Sequence, residues 1–215
     1  DLECLRGADL VVSAAPSCAV RETGRKIAPY LTEKTVLVSV SKGIERDTNL
    51  RLSQVLRQET HNICQVVALS GPSHAEEVGI RMPTGCVSAC ADRDAARFVQ
   101  DAFMNQYFRI YTSYDIIGVE LAAALKNVVA LACGVIPGLG YQDNTVQEAM
   151  EEVGAVVEGY YAAESIHQLS TREGVEMPIS QSVYEVLYQG KAVRDAVSEL
   201  MGRAKKDELL ERCWL

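Results

Sequence analysis

Apolar residues fall into short uninterrupted runs in the first half of the chain and into longer, helically spaced groups in the second. The runs at residues 8–15, 35–40, 64–69, 84–90 and 108–111 are mostly bounded by Gly, Pro, Ser or Asn. Runs of that length and flanking predict buried strands. Between them, residues 19–30, 49–59 and 92–104 alternate polar and apolar positions with a helical period. Such alternation predicts a mostly parallel sheet covered by helices. After Thr112 the strand-like runs stop. Residues 115–135, 146–168, 179–188 and 192–201 then read as helices, with residues 138–144 as the clearest loop. Pro178 suits the first helical position, where its missing amide hydrogen costs nothing. The fold expected is an α/β domain over residues 1–112 followed by an all-α domain over residues 113–215.

One of these helices stands apart. From Leu121 to Pro137 its only polar residues of note are Lys126 and Asn127, and the three- and four-apart neighbours of Lys126 are Ala122, Ala123, Val129 and Ala130. A helix apolar nearly all round is expected to be buried, and a buried ammonium needs a partner or loses its proton. A lysine held that way suits proton transfer. The same pattern also suits a lysine that snorkels from a helix edge.

Composition narrows the field. With 215 residues, 48% hydrophobic and 23% charged, the chain reads as a soluble globular protein with a real core. The net charge of −8 argues against a general nucleic-acid or membrane-surface binder, since both partners are polyanions. Seven cysteines are scattered without a C-x-x-C pair and make no metal-ligand spacing with the three histidines. Cys86 and Cys90 read as apolar filler in a strand. Dispersed thiols suit a reducing cytosol, so a cytoplasmic location is expected, with no signal peptide, membrane span or metal.

In open parallel sheets ligands bind beyond the carboxyl ends of the strands. Those ends here carry Ala15-Pro16-Ser17, Ser41-Lys42-Gly43 and Ser70-Gly71-Pro72-Ser73. Lys42 is a cation placed to meet a phosphate or a substrate oxygen, and Gly43 lets the backbone turn tightly. Ser73 is expected to cap a short helix, with Glu76 completing a capping box; the amide hydrogens at that helix start also suit an anion.

The order of these segments resembles the NAD(P)-dependent glycerol-3-phosphate dehydrogenases. The match runs through Ser41-Lys42-Gly43-Ile44-Glu45, then Leu69-Ser70-Gly71-Pro72-Ser73-His74-Ala75-Glu76-Glu77-Val78 and Met82-Pro83-Thr84. It continues through Ala124-Leu125-Lys126-Asn127-Val128 and Gly138-Leu139-Gly140-Tyr141-Gln142-Asp143-Asn144 to Leu200-Met201-Gly202-Arg203. The resemblance implies a Rossmann-like, partial nucleotide-binding domain. It further implies reversible hydride transfer between NAD or NADP and glycerol 3-phosphate or dihydroxyacetone phosphate, a reaction that supplies phospholipid backbones. By the same resemblance, Lys126 is the proton-transfer residue and Asn127 contacts substrate. Lys42 touches both substrate and cofactor, Gly71 and Ser73 bind substrate, and Ala75, Val156 and Glu158 contact the cofactor. A homodimer is the oligomer the family offers.

Two departures from the family's pattern stand out. A strand and Gly-x-Gly-x-x-Gly turn that carry the cofactor's pyrophosphate would precede Asp1. Between Asn144-Thr145 and Glu148-Ala149-Met150 the family has several dozen further residues, including a Ser-Arg-Asn-Arg run that helps bind the substrate phosphate. Without both, poor dinucleotide binding and little turnover are expected. A non-catalytic remnant, or a related two-domain hydroxyacid dehydrogenase, are the other readings.

Overall fold

A computed structural model of the chain describes residues 1–135 and 158–203. Five strands form one sheet in chain order: β1 (Leu10–Ser13), β2 (Val36–Ser39), β3 (Gln65–Ser70), β4 (Thr84–Ala89) and β5 (Phe108–Ser113). The first three are parallel, β4 is antiparallel to β3, and β5 is parallel to β4. Each predicted strand run is present, with ends within two residues of those expected: β1, β2 and β4 are shorter, β3 is shifted by one and β5 runs two residues further.

Side-chain alternation along the strands feeds two cores. Leu37 and Val66 face helices α1 (Val20–Ile27) and α2 (Leu52–Glu59), together with Val20, Val55 and Leu56. Val38 and Val67 point the other way, toward Ala96 and Val99 of α4 (Arg93–Phe103) and Ile110 of β5. Residues covered on both faces explain why β2 and β3 read as continuous apolar runs and not as alternating ones. Helix α4 starts where Asp92 accepts hydrogen bonds from the backbone of Asp94 and Ala95, each at 2.9 Å.

The short helix α3 (Ala75–Gly79) corrects one expectation. Its N-cap is His74 and not Ser73, and no side chain caps it. Glu76, expected to reach back as a capping box, accepts instead from the His74 ring at 2.6 Å.

The helical part comprises α5 (Ile116–Val135), α6 (Glu158–Glu173), α7 (Pro178–Gln189) and α8 (Val193–Met201). Helix α6 runs five residues beyond the expected end at Gln168; the expected helical start at residue 146 and the loop at 138–144 lie outside the described residues. Pro178 takes the first helical position of α7, and Gly190 ends that helix in the left-handed region at φ +68°.

Helix α5 corrects the expectation of burial all round. Its Ala124 and Val128 pack with Ile44 and with Ala162, Ala163 and Ile166 of α6. Ile116 packs on Ala68 and Ala89 of the sheet. The opposite side stays open: Ala122, Lys126 and Val129 are exposed. The apolar pattern concealed this face because alanine and valine occupy it as well. Among the described residues no helix is long and apolar enough to cross a membrane.

Candidate active site

Because β1, β2 and β3 run the same way, their carboxyl ends share one edge of the sheet, and the reversal of β4 brings its amino end to that edge too. The Ser41 hydroxyl donates to the carbonyl of Ala15, joining the turn after β2 to the turn after β1 at 2.5 Å. Gly43 follows with φ +114°, a conformation that favours glycine, and this turns the chain immediately after Lys42.

Beyond β3, Gly71 crosses close over β4. A β-carbon at Gly71 would lie 2.8 Å from the Cys86 Cα and 2.9 Å from its Sγ. That approach also brings Ser73, whose backbone donates to the Gly71 carbonyl at 2.9 Å, near the Cys86 thiol. Cys86 also feels the charge of Lys42, so Lys42, Ser73 and Cys86 form one group. Burial raises the Cys86 thiol above its ordinary value; Ser73 and Lys42 work against that shift without cancelling it.

The Lys42 ammonium is half-buried, and burial lowers its pKa. The second cause is the positive charge of Lys126, which repels it from helix α5, whereas Cys86 acts in the opposite sense. Thus Lys126 belongs to the same region as Lys42, but it is exposed and not shielded by hydrocarbon. Neither lysine has a carboxylate ion-pair partner among the described residues. Two such cations make this region locally positive on a chain of net charge −8.

Asn127 is partly buried beside Lys126, and Ala75 is exposed at the start of α3. Val156 lies outside the described residues; Glu158 begins α6, with its side chain outside them. The structure therefore brings Lys42, Gly71, Ser73 and Lys126 to one region. It adds Cys86, which sequence reasoning took for filler because a thiol in an apolar run carries no local signal of what crosses above it. Ser13 and Ser39, at the carboxyl ends of β1 and β2, have buried hydroxyl oxygens without hydrogen-bond partners. That is spare polar capacity of the kind a dinucleotide at this edge would use. No cluster of three or more metal-ligating side chains occurs among the described residues.

Comparison with known proteins identifies the family. The family model for the NAD-dependent glycerol-3-phosphate dehydrogenase N-terminus matches residues 1–96. The model for the C-terminus of the same family matches residues 115–150 and again 144–198. A glycerol-3-phosphate dehydrogenase (NAD(P)+) of Moorella thermoacetica is 38% identical over 268 positions, covering 98% of this chain and 79% of the relative. One from Clostridium perfringens is 39% identical over 264 positions, covering 96% and 80%. These alignments are longer than the 215 residues of the chain, and the C-terminal match is split, so the relatives carry dozens of internal residues that this chain does not. The crystal structure of glycerol-3-phosphate dehydrogenase from Coxiella burnetii superposes with a TM-score of 0.83 at 24% identity, covering 94% of this chain and 80% of that one. The two matched halves and relatives 38% and 39% identical establish that this chain belongs to the NAD-dependent glycerol-3-phosphate dehydrogenase family.

Proposed function

We propose that the chain is built to interconvert sn-glycerol 3-phosphate and dihydroxyacetone phosphate with NAD or NADP, in a cytoplasmic setting and in the service of glycerophospholipid synthesis. The observation that carries the reading is the convergence of Lys42 and Lys126, from the sheet and from α5, on one uncompensated positive region. In this reading residues 1–112 form the nucleotide-binding part and residues 113–215 the substrate part, with a homodimer formed through the helices.

Lys126 is the proton-transfer residue. In the reducing direction its ammonium donates a proton to the carbonyl oxygen as that oxygen gains charge; in the oxidising direction its amine accepts the hydroxyl proton. Lys42 meets the anionic end of the substrate and the cofactor, where its fixed charge offsets theirs. Gly71 permits close backbone approach, Ser73 and Asn127 supply polar contacts, and Ala75, Val156 and Glu158 adjoin the cofactor. When bound, the nicotinamide supplies or takes the hydride.

The test is reduction of dihydroxyacetone phosphate followed by absorbance of the reduced cofactor. It compares this chain with a version into which a relative's internal segment is inserted. Activity in either, reduced roughly 100-fold or more in kcat by Lys126→Ala, supports the assignment. Activity indifferent to that change removes Lys126 from the chemistry. A second reading, a catalytically silent relative, is favoured by the internal gap, since a lost arginine–phosphate contact costs about 2–5 kcal/mol of binding when buried. Silence in both versions would favour it.

A further inference from the structure

Glu120 is the only acidic residue of α5, and it is buried at 8% exposure. Its carboxylate accepts from the Arg51 guanidinium at 2.6 Å, from the Ser53 hydroxyl at 2.6 Å and from the Ser53 backbone amide at 2.8 Å. Arg51 in turn donates to the Ser53 hydroxyl at 3.1 Å. A carboxylate with this many donors fixes the second turn of α5 to the amino end of α2.

The clamp reaches the site from both sides. Arg51 is bridged through its backbone to Ile44, and the Glu45 amide closes the same loop on the Leu50 carbonyl at 2.9 Å. Ile44 lies two residues beyond Lys42 and is packed with Ala124 and Val128, which flank Lys126 on α5. The path therefore runs from Lys42 through Ile44 and Arg51 to Glu120, and along α5 to Lys126.

We infer that Glu120 is a positioning residue: through Arg51 and Ser53 it sets the separation of Lys42 and Lys126. Stability alone does not explain it, because a buried ion pair is commonly replaceable by apolar side chains with little loss. What an apolar pair lacks is direction, and three hydrogen bonds fix both the rotation and the height of α5. The inference rests on the reading of Lys42 and Lys126 as the substrate-facing cations, but its test needs no turnover, so an inactive chain leaves it intact.

Trace acetylation of the lysines, read by mass spectrometry across a pH series, reports how readily each amine loses its proton. In Glu120→Gln, and in the paired change Glu120→Leu with Arg51→Met, Lys42 is expected to hold its proton to higher pH as Lys126 moves away and burial loosens. Its labelling at about pH 8, taken as a fraction of its own plateau at high pH, should fall roughly threefold while that of the exposed Lys34 stays unchanged. The paired variant keeps the test alive if the single variant does not fold. A folded variant whose Lys42 profile matches the parent, even one that melts earlier, overturns the inference, since a purely structural clamp would behave that way.

Discussion

A methyl group at Gly71 would be driven into the backbone of β4, because Cys86 Cα and Sγ lie 2.8 and 2.9 Å from where it would sit and the Gly85 carbonyl is also in the way. Gly71→Ala is therefore expected to cost about 1–3 kcal/mol, measured by urea denaturation. Trimming the thiol with Cys86→Ala should recover little of it, since the obstruction is largely backbone. A neutral Gly71→Ala would show that the turn is looser than described. Position 71 was legible in the sequence only as a member of a family segment, because close approach of two strands is a property of the fold. Whether Lys126 is buried or snorkels from a helix edge was left open by the sequence, and the structure shows it exposed. Hydrophobicity along a helix tells how much of it is apolar, not which apolar face finds a partner, and α5 finds one on the side of Ala124 and Val128.

At the scale of elements the sequence was far more informative. The helix expected over residues 92–104 is present as α4, and the structure adds its cap: the Asp92 carboxylate accepts from two backbone amides. The cap that was expected, at Ser73, is not formed. There Ser73 folds back on Gly71, its backbone amide and its hydroxyl both donating to that carbonyl, so a tight turn displaces the cap. Asp92→Ala should lower stability by about 1 kcal/mol. Helix α2 gives the harsher test. Leu56 is fully buried among Val20, Leu37 and Val55, so Leu56→Ala should cost about 2–5 kcal/mol by cavity formation, read from the midpoint of denaturant unfolding. A loss under 1 kcal/mol would mean that α2 closes the gap by sliding on the sheet.

For the whole molecule the question is how a chain of net charge −8 holds a positive site, and the answer lies in how its charges are distributed. Arg21 is neutralised by Glu45 at 2.7 Å and by Glu59 at 2.6 Å, and both carboxyls are held below their ordinary value of 4.5 by that contact. Stability from these carboxylates is fully present above that value and is lost as pH falls through their lower folded values. Lys42 is treated in the opposite way. Half-buried, repelled by Lys126 and given no carboxylate among the described residues, Lys42 has a folded pKa below the ordinary 10.5, so the native state carries the ammonium at a cost wherever it remains protonated. Between the folded value and 10.5 the unfolded chain binds more protons, and stability therefore rises with pH across that window. Removing the charge should show the same cost directly. Lys42→Met is expected to raise the melting temperature at about pH 7, and that advantage should shrink as pH climbs toward the ordinary lysine range. Inorganic phosphate should raise the melting temperature of the parent more than that of Lys42→Met, because an anion relieves the repulsion only where the ammonium is present. A Lys42→Met variant less stable than the parent at neutral pH, with an undiminished response to phosphate, would mean that another group holds the anion and that the poised charge of Lys42 is not what the site is built around.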